Sequence, residues 1–208
     1  RVTDRRPESE LGAVLEQLPS GLERVLGGHP VSALDGVGRV IVSPGVAADA
    51  AVLVAARARG LKVESEVEFA WRHRPEAPLV AVTGSNGKST VTTLVGEMLD
   101  AGGLTTAAGG NLGTAASELV LAGGWEAWVL EVSSFQTEIF VDLRPTVGVH
   151  LNLSQDHLER HPDMAAYRAA KANLFARQLP SDSAVLNADD AIVAATPTAA
   201  RRRRFSLE

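Results

Sequence analysis

The chain has 208 residues, enough for one large domain or two small ones with a substantial hydrophobic core. Its net charge of −5 argues against a nucleic-acid-binding protein, for which a basic surface is expected, and its lack of cysteine excludes disulfides, thiolate metal sites and cysteine nucleophiles. No apolar run approaches the ~20 residues of a membrane-spanning helix, and no signal peptide opens the chain, so a cytoplasmic protein is expected.

Strands and helices alternate regularly along the chain, which predicts an α/β protein with a parallel sheet and right-handed crossovers. Arginines 201–204 are interpreted as a solvated or strand-flanking run. The predicted elements, in chain order, are an amphipathic helix over 11–18, a buried strand over 36–42, a helix over 49–59, a strand over 61–63, a helix over 67–71, a strand over 79–82, a helix that directly follows Thr90 and ends before Gly102, a strand over 104–108, a helix over 115–122, strands over 128–132 and 147–151, a helix over 164–178 and a strand over 184–187.

A domain boundary is predicted between residues 75 and 76. The segment from Arg72 to Pro78 contains two prolines and no apolar periodicity, whereas a strand–helix alternation continues on both sides of it. The chain is therefore divided into an N-terminal domain over 1–75 and a second domain over 76–208.

The most informative stretch is a strand followed by a glycine-containing loop and a helix. Glycines let backbone N–H groups approach phosphate oxygens, and the helix N-terminus favours negative charge, so the loop is predicted to bind a nucleotide phosphate. The alternative is a tight turn that happens to contain a lysine, and the P-loop pattern is incomplete because Val82 occupies its first glycine position. The loop residues predicted to bind nucleotide are Gly84, Ser85, Asn86, Gly87, Lys88, Ser89 and Thr90.

The helix after the loop has apolar residues at helical spacing, which predicts one buried stripe. These residues are Val91, Leu94, Val95, Met98 and Leu99.

Polar groups follow several predicted strands, and in open α/β sheets ligands bind at the carboxyl ends of strands. Glu131 ends an apolar strand, so it either binds Mg²⁺ or faces water. His157 follows another strand and is interpreted as a metal ligand or substrate contact, although a histidine considered alone would more often be structural. The other histidines are interpreted as structural: His29, His73, His150 and His161. Asn111 is either a turn residue or a ligand contact, and Lys171 taken by itself is a surface lysine.

The motifs together resemble those of the Mur ligases, ATP-dependent enzymes of peptidoglycan precursor synthesis. Folylpolyglutamate synthases have a related phosphate loop, but the Ser-Ser-Phe-Gln tetrad after Glu131 resembles the Mur ligases that add D-glutamate. The resemblance covers essentially the whole chain. The matching segments are Thr83–Thr90, Gly109–Gly113, Glu131–Gln136, Asp156–Arg160 and Tyr167–Lys171.

This resemblance implies an amide ligase that joins D-glutamate to UDP-N-acetylmuramoyl-L-alanine through an acyl phosphate, with ATP and Mg²⁺ as cofactors. It implies that Lys88 neutralises the γ-phosphate, that Ser89 and Glu131 bind a first Mg²⁺, and that His157 and an N-carbamylated Lys171 serve a second. Lys171 would then have to be partly desolvated so that its amine reacts with CO₂. The substrate-binding residues implied are Asp4, Arg6, Ser43, Pro44, Gly45, Asn111, Ser133 and His157.

The resemblance also implies a fragment. Residues 1–75 resemble part of a Rossmann-like uridine-nucleotide domain and residues 76–208 an incomplete P-loop ATPase domain, with the glutamate-binding C-terminal domain absent. Little or no ligation by this piece alone is expected, because domain closure positions the reactants, and the piece is expected to be monomeric. The alternatives are another ligase of the superfamily, such as a folylpolyglutamate synthase, and a non-catalytic nucleotide-binding module.

Overall fold

The computed structural model describes residues 1–74, 76–111, 113–156 and 161–207. Strands and helices alternate along most of this length. The strands are β1 (Val2–Asp4), β2 (Arg24–Leu26), β3 (Arg39–Val42), β4 (Lys62–Ser65), β5 (Leu79–Thr83), β6 (Thr106–Gly110), β7 (Ala127–Glu131), β8 (Val147–His150), β9 (Ser183–Asn187) and β10 (Arg201–Phe205). The helices are α1 (Glu8–Leu11), α2 (Ala51–Ala58), α3 (Glu66–His73), α4 (Lys88–Ala101), α5 (Ala116–Ala122), α6 (Ser134–Thr137), α7 (Met164–Ala172) and α8 (Ala191–Ala194), with 3₁₀ turns at Gly12–Gln17, Val31–Leu34 and Asn173–Phe175.

A six-stranded parallel sheet in the order β10-β9-β8-β5-β7-β6 forms the centre of the larger part of the chain. Residues on β5 alternate between two apolar clusters: Leu79 and Ala81 belong to the larger one, and Val82 to a smaller one with Val149. Because the central strand β5 is covered on both faces, its sequence is an uninterrupted apolar run. The α/β class with a parallel sheet is confirmed.

The contacts divide the chain into two compact units, one made of residues 1–40 and 48–63 and the other of residues 41–47 and 64–208. The first unit contains the two-stranded parallel sheet of β1 and β2. The second contains the six-stranded sheet. The domain boundary predicted between residues 75 and 76 stays a prediction.

Two local predictions were wrong, and a third was only partly right. The arginines at 201–204 are solvated as predicted, but they do not flank a strand; they form the exposed edge strand β10 with Phe205, paired with β9. The predicted buried strand over 36–42 is shorter, and only Val42 in β3 is buried. The helix predicted over 164–178 ends at Ala172 and continues as a 3₁₀ turn.

The predicted apolar stripe of α4 is also only partly correct. Leu94 and Met98 are exposed, whereas Thr92 and Gly96 are the buried residues of this helix. A Cβ at Gly96 would lie 3.1 Å from the Cβ of Ala108 on β6, so small residues allow the helix to approach the sheet closely. The other three residues of the stripe, Val91, Val95 and Leu99, are half-buried, and Val91 packs against the smaller apolar cluster. Among the described residues, no helix combines the length and apolar character needed to span a bilayer.

Candidate active site at the carboxyl edge of the sheet

The predicted phosphate loop lies between the central strand β5 and the N-terminus of α4. Gly87 precedes the helix with φ = 79°, a left-handed conformation that side chains other than glycine rarely adopt. The Lys88 ammonium folds back over the loop and donates to the Ser85 carbonyl, with an N···O distance of 2.9 Å. The loop therefore surrounds the N-terminus of α4, the end of a helix that attracts anions.

Two neighbouring strands bring a carboxylate to this helix N-terminus. Glu131 at the end of β7 is only 3% exposed, and its Oε2 accepts from the Ser89 hydroxyl at 2.7 Å. Its Oε1 accepts from the Asn111 side-chain amide, also at 2.7 Å. A Cβ at Gly110 would lie 2.5 Å from the Glu131 carbonyl oxygen, so the glycine permits the close backbone approach that delivers Asn111.

The donor set fits a magnesium ion because it consists of oxygen ligands. Mg²⁺ is commonly held by one carboxylate together with hydroxyl, phosphate and water oxygens, and Ser89 and Glu131 already lie within hydrogen-bond distance of each other. No cluster of three or more His, Asp or Glu that could hold a metal ion occurs within the residues that the structure describes. Any ion at this position would therefore complete its coordination with other oxygens.

The segment after β8 is hydrogen-bonded along its length to the phosphate loop. Ser85 donates its backbone N–H to the Asn152 carbonyl at 3.0 Å, and the Asn152 side chain accepts from the Asn86 N–H at 2.9 Å and donates to the Asn86 carbonyl at 3.1 Å. The Ser85 hydroxyl accepts from the Ser154 N–H and donates to its carbonyl. The loop conformation is thus set by contacts 66–69 residues away in sequence.

Lys171 is buried rather than a surface lysine. Its side chain is 1% exposed, and Nζ donates to the Gly84 carbonyl at 2.8 Å. Burial, and secondly the charge of Lys88, lower the pKa of this amine to about 7, while Glu131 opposes the shift. The burial therefore favours the neutral amine, which is the form that a reaction with CO₂ requires.

The other predicted site residues have different surroundings. Ser133 is the N-cap of α6 and forms a capping box with Gln136. In the first unit, the Asp4 carboxylate accepts three hydrogen bonds from Arg6, and these hold the pKa of Asp4 at about 2. In the second unit, Ser43 and Gly45 are exposed in a turn with Pro44. His157 lies outside the described residues.

The rest of the predicted nucleotide loop differs in exposure. Gly84 and Ser85 are buried, whereas Asn86, Gly87, Ser89 and Thr90 are exposed at the open side of the loop.

Sequence reasoning gave Tyr167 no role of its own near the site and interpreted the neighbouring His161 as structural. Tyr167 is fully buried, and its hydroxyl lies 3.1 Å from the Ser85 hydroxyl. His161 is buried against the Tyr167 ring, and its Nε2 lies 2.9 Å from the Ser134 hydroxyl. The four-residue spacing of Tyr167 and Lys171 on a helix was the available signal that both face the same way.

Comparison with known proteins gives a consistent result. Residues 82–207 match the model of the Mur ligase middle domain. Curated relatives named UDP-N-acetylmuramoylalanine--D-glutamate ligase include proteins of Anaeromyxobacter dehalogenans, 50% identical over 91% of this chain, and Myxococcus xanthus, 44% identical over 95%. The chain spans 41% and 44% of their respective lengths, which is less than half.

Solved structures support the fold. The UDP-N-acetylmuramate:L-alanyl-gamma-D-glutamyl-meso-diaminopimelate ligase of Neisseria meningitides aligns with a TM-score of 0.60 at 18% identity, over 98% of this chain and 68% of that one. A UDP-N-acetylmuramoyl-L-alanyl-D-glutamate--2,6-diaminopimelate ligase aligns with a TM-score of 0.54 at 24% identity, over 81% of this chain and 46% of that one. At these identities the likeness concerns the fold alone.

Proposed function

Because the chain belongs to the Mur ligase family, we propose that it is part of a UDP-N-acetylmuramoyl-L-alanine:D-glutamate ligase and supplies its ATP-binding site. The observation that carries this proposal is the Glu131 carboxylate, held between the Ser89 hydroxyl and the Asn111 amide at the N-terminus of α4. The identity to curated relatives of that name supports the choice of substrates. In the proposed reaction ATP transfers its γ-phosphoryl group to the carboxylate of UDP-N-acetylmuramoyl-L-alanine and leaves as ADP. The amine of D-glutamate then attacks the acyl phosphate, and the tetrahedral intermediate collapses to the amide with release of phosphate.

The residues around the loop suit phosphoryl transfer from ATP. In this proposal Lys88 leaves the Ser85 carbonyl and bonds to the terminal phosphates, because its flexible side chain is already on the loop. Ser89 and Glu131 would hold Mg²⁺, which neutralises phosphate charge when bound. Asn111 orients the carboxylate and is available to contact substrate or phosphate.

Lys171 and His157 are proposed to serve a second Mg²⁺. A carbamate on Lys171 would convert a cation into an anionic oxygen ligand, and the lowered pKa of the amine supports its reactivity. In the same proposal Asp4, Arg6 and the turn at residues 43–45 contact the uridine nucleotide, and Ser133 contacts substrate. The division into domains over 1–75 and 76–208, a cytoplasmic location and a monomeric state remain part of the proposal.

A hybrid protein tests the activity directly. The segment of the Anaeromyxobacter relative that matches this chain is replaced by this chain, and release of phosphate from ATP is measured with UDP-N-acetylmuramoyl-L-alanine and D-glutamate. We expect turnover that depends on both substrates, with a folate plus L-glutamate giving none. Turnover with the folate instead would indicate a folylpolyglutamate synthase, and nucleotide binding without turnover would favour a non-catalytic module.

Two variants of that hybrid test the roles proposed for Lys88 and Lys171. Lys88→Ala should abolish turnover, and retained activity would remove this lysine from the mechanism. Lys171→Ala should lose activity that short carboxylates such as acetate or formate partly restore, since they can replace the carbamate oxygens. A complete failure of rescue would count against the carbamate.

A further inference from the structure

We propose that Tyr167 is a positioning residue that connects the helix carrying Lys171 to the phosphate loop and so sets the nucleotide affinity of the loop. The inference rests on the proposed function in one respect, that the loop binds a nucleotide. It concerns two contacts of one buried side chain: a hydroxyl contact to Ser85 and a ring contact to Lys171.

The hydroxyl of Tyr167 completes the hydrogen bonding of Ser85. The Ser85 Oγ accepts from the Ser154 N–H at 3.0 Å and donates its single hydrogen to the Ser154 carbonyl at 3.1 Å. The Tyr167 hydroxyl, 3.1 Å away, then acts as donor to Ser85. Tyr167 therefore fixes the side chain that joins the loop to the segment after β8.

The ring of Tyr167 contacts the lysine one helical turn further along α7. The Lys171 ammonium lies 4.7 Å from the ring centroid, within the range of a cation–π interaction, while it donates to the Gly84 carbonyl. On the other side the ring packs against His161 at a centroid distance of 5.2 Å. Since Tyr167 is fully buried, it has little room to move away from these contacts.

Both contacts act on consecutive residues of the loop. The ring orients Lys171, which holds the carbonyl of Gly84, and the hydroxyl holds the side chain of Ser85. Backbone N–H groups of such a loop bind phosphate only if they are aimed correctly before the ligand arrives. Loss of either contact should therefore weaken nucleotide binding without removing any group that touches the nucleotide.

The first experiment is a double-mutant cycle on nucleotide affinity. Binding of a fluorescent ATP analogue with Mg²⁺ is measured for the wild-type chain, Tyr167→Phe, Ser85→Ala and the double variant. We expect Tyr167→Phe to weaken binding roughly 2- to 10-fold, the factor that a neutral hydrogen bond is worth, and to weaken it less than 2-fold when Ser85 is already alanine. Thr196→Val, which removes another buried hydroxyl, should leave the affinity unchanged.

The hydroxyl contact would be refuted as a determinant of nucleotide affinity if Tyr167→Phe left the affinity unchanged. It would also be refuted if Tyr167→Phe caused the same loss in the wild-type and Ser85→Ala backgrounds. If the wild-type chain binds no nucleotide, the proposed function fails. Amide hydrogen exchange of the nucleotide-free chain then tests by itself whether Tyr167 positions the loop. Tyr167→Phe should speed exchange of the Ser85 and Ser154 amides at unchanged global stability, and Thr196→Val should not. Unchanged exchange at both amides would refute the positioning role.

The second experiment tests the ring contact by amine labelling. The chain has only three lysines, at positions 62, 88 and 171, so mass spectrometry resolves each one and Lys62 is the internal reference. We expect Tyr167→Leu to raise the labelling rate of Lys171 relative to Lys62 at least 3-fold, while Tyr167→Phe, which keeps the ring, does not. An unchanged ratio in a folded Tyr167→Leu protein would refute the ring contact. Should that variant not fold, Tyr167→Met takes its place, because it retains apolar volume without an aromatic face.

Discussion

Two buried glutamates in this protein are satisfied in different ways. Glu68 on α3 is fully buried and accepts backbone N–H groups from Val141, Asp142 and Leu143, together with a 3.2 Å ion pair from Arg72. Glu131 at the edge of the sheet is buried almost as deeply, but the donors that it accepts from are a serine hydroxyl and an asparagine amide. Within the described part of the chain Glu131 forms no ion pair.

The difference separates a structural carboxylate from one suited to binding. The donors around Glu68 are backbone groups and an arginine, which keep their position and their charge, so this carboxylate anchors the segment after α6. The donors around Glu131 are neutral side chains that can rotate, and a hydroxyl can itself become a metal ligand. Burial by itself therefore does not distinguish the carboxylate proposed to bind metal from a structural one, whereas the types of their partners differ.

The largest effect is expected at the structural carboxylate. Glu68→Ala leaves three backbone donors without their acceptor and removes one of the ion pairs of Arg72, which keeps those to Glu64 and Asp142. Breaking such a buried pair costs about 3–5 kcal/mol of the free energy of unfolding. Urea denaturation followed by circular dichroism measures this loss. Glu97→Ala, at an exposed position of α4, is the control and should change stability by less than ~0.5 kcal/mol. A cost of Glu68→Ala no greater than that of the control would contradict the comparison.

His150 is a buried group with only half of its hydrogen bonds. Its Nδ1 pairs with Thr196 at 3.1 Å, whereas Nε2 has no hydrogen-bond partner among the described residues. Burial, and secondly the nearby Lys171 charge, lower the pKa of the imidazole from 6.5 to about 4. As the pH falls, His150 is therefore protonated in the unfolded chain at a higher pH than in the folded chain.

The pH dependence of stability follows from that shift. The contribution of His150 is fully present above pH 6.5 and is lost as the pH falls toward 4, by about 3 kcal/mol in total, with no further loss below 4. His150→Leu should remove this dependence from denaturation curves recorded between pH 4 and 6.5. His29→Leu is the matched control. If the free energy of unfolding of His150→Leu changed with pH as steeply as that of the wild type, the dependence would belong to other groups.

The carboxylate proposed to bind metal should show the opposite pattern to Glu68. Glu131→Gln keeps both neutral hydrogen-bond partners in reach, so the free energy of unfolding should change by less than ~1 kcal/mol. The part of the ATP affinity that depends on Mg²⁺ should fall roughly 10- to 100-fold, because a charged ligand to the ion is lost. Titration calorimetry with and without Mg²⁺ measures the ATP affinity, and urea denaturation measures the free energy of unfolding. A large loss of stability with unchanged affinity would make Glu131 structural like Glu68.

The smallest effect is expected on the outer face of α4. Met98 is 71% exposed, so Met98→Lys should change the free energy of unfolding by less than ~0.5 kcal/mol. Gly96→Leu, on the buried face, should cost more than 1 kcal/mol because of the close approach to Ala108. Thermal unfolding of the two variants compares them, and the reverse order would restore the apolar stripe that the sequence pattern predicted.

Much of the fold was predictable because its signals are local. The strand, glycine loop and helix around Lys88 follow one another directly, and most strand and helix positions agree within a few residues. The exposed arginine strand β10 was not predictable from composition, since its pairing with β9 overrides the low strand propensity of a charged run. The inward face of α4 was misjudged because close packing favoured small residues over large apolar ones.

The sequence alone determined the strand, glycine loop and helix around Lys88, the parallel α/β class and the set of polar residues at the strand ends, since each depends on neighbours in the chain. Only the tertiary structure decided which of these residues meet. Ser89 and Asn111 reach Glu131 across 42 and 20 residues, and Lys171 reaches Gly84 across 87. The physical reason is that strand order and register, rather than spacing in sequence, bring the carboxyl ends of β5, β6 and β7 side by side and bury a lysine beneath them.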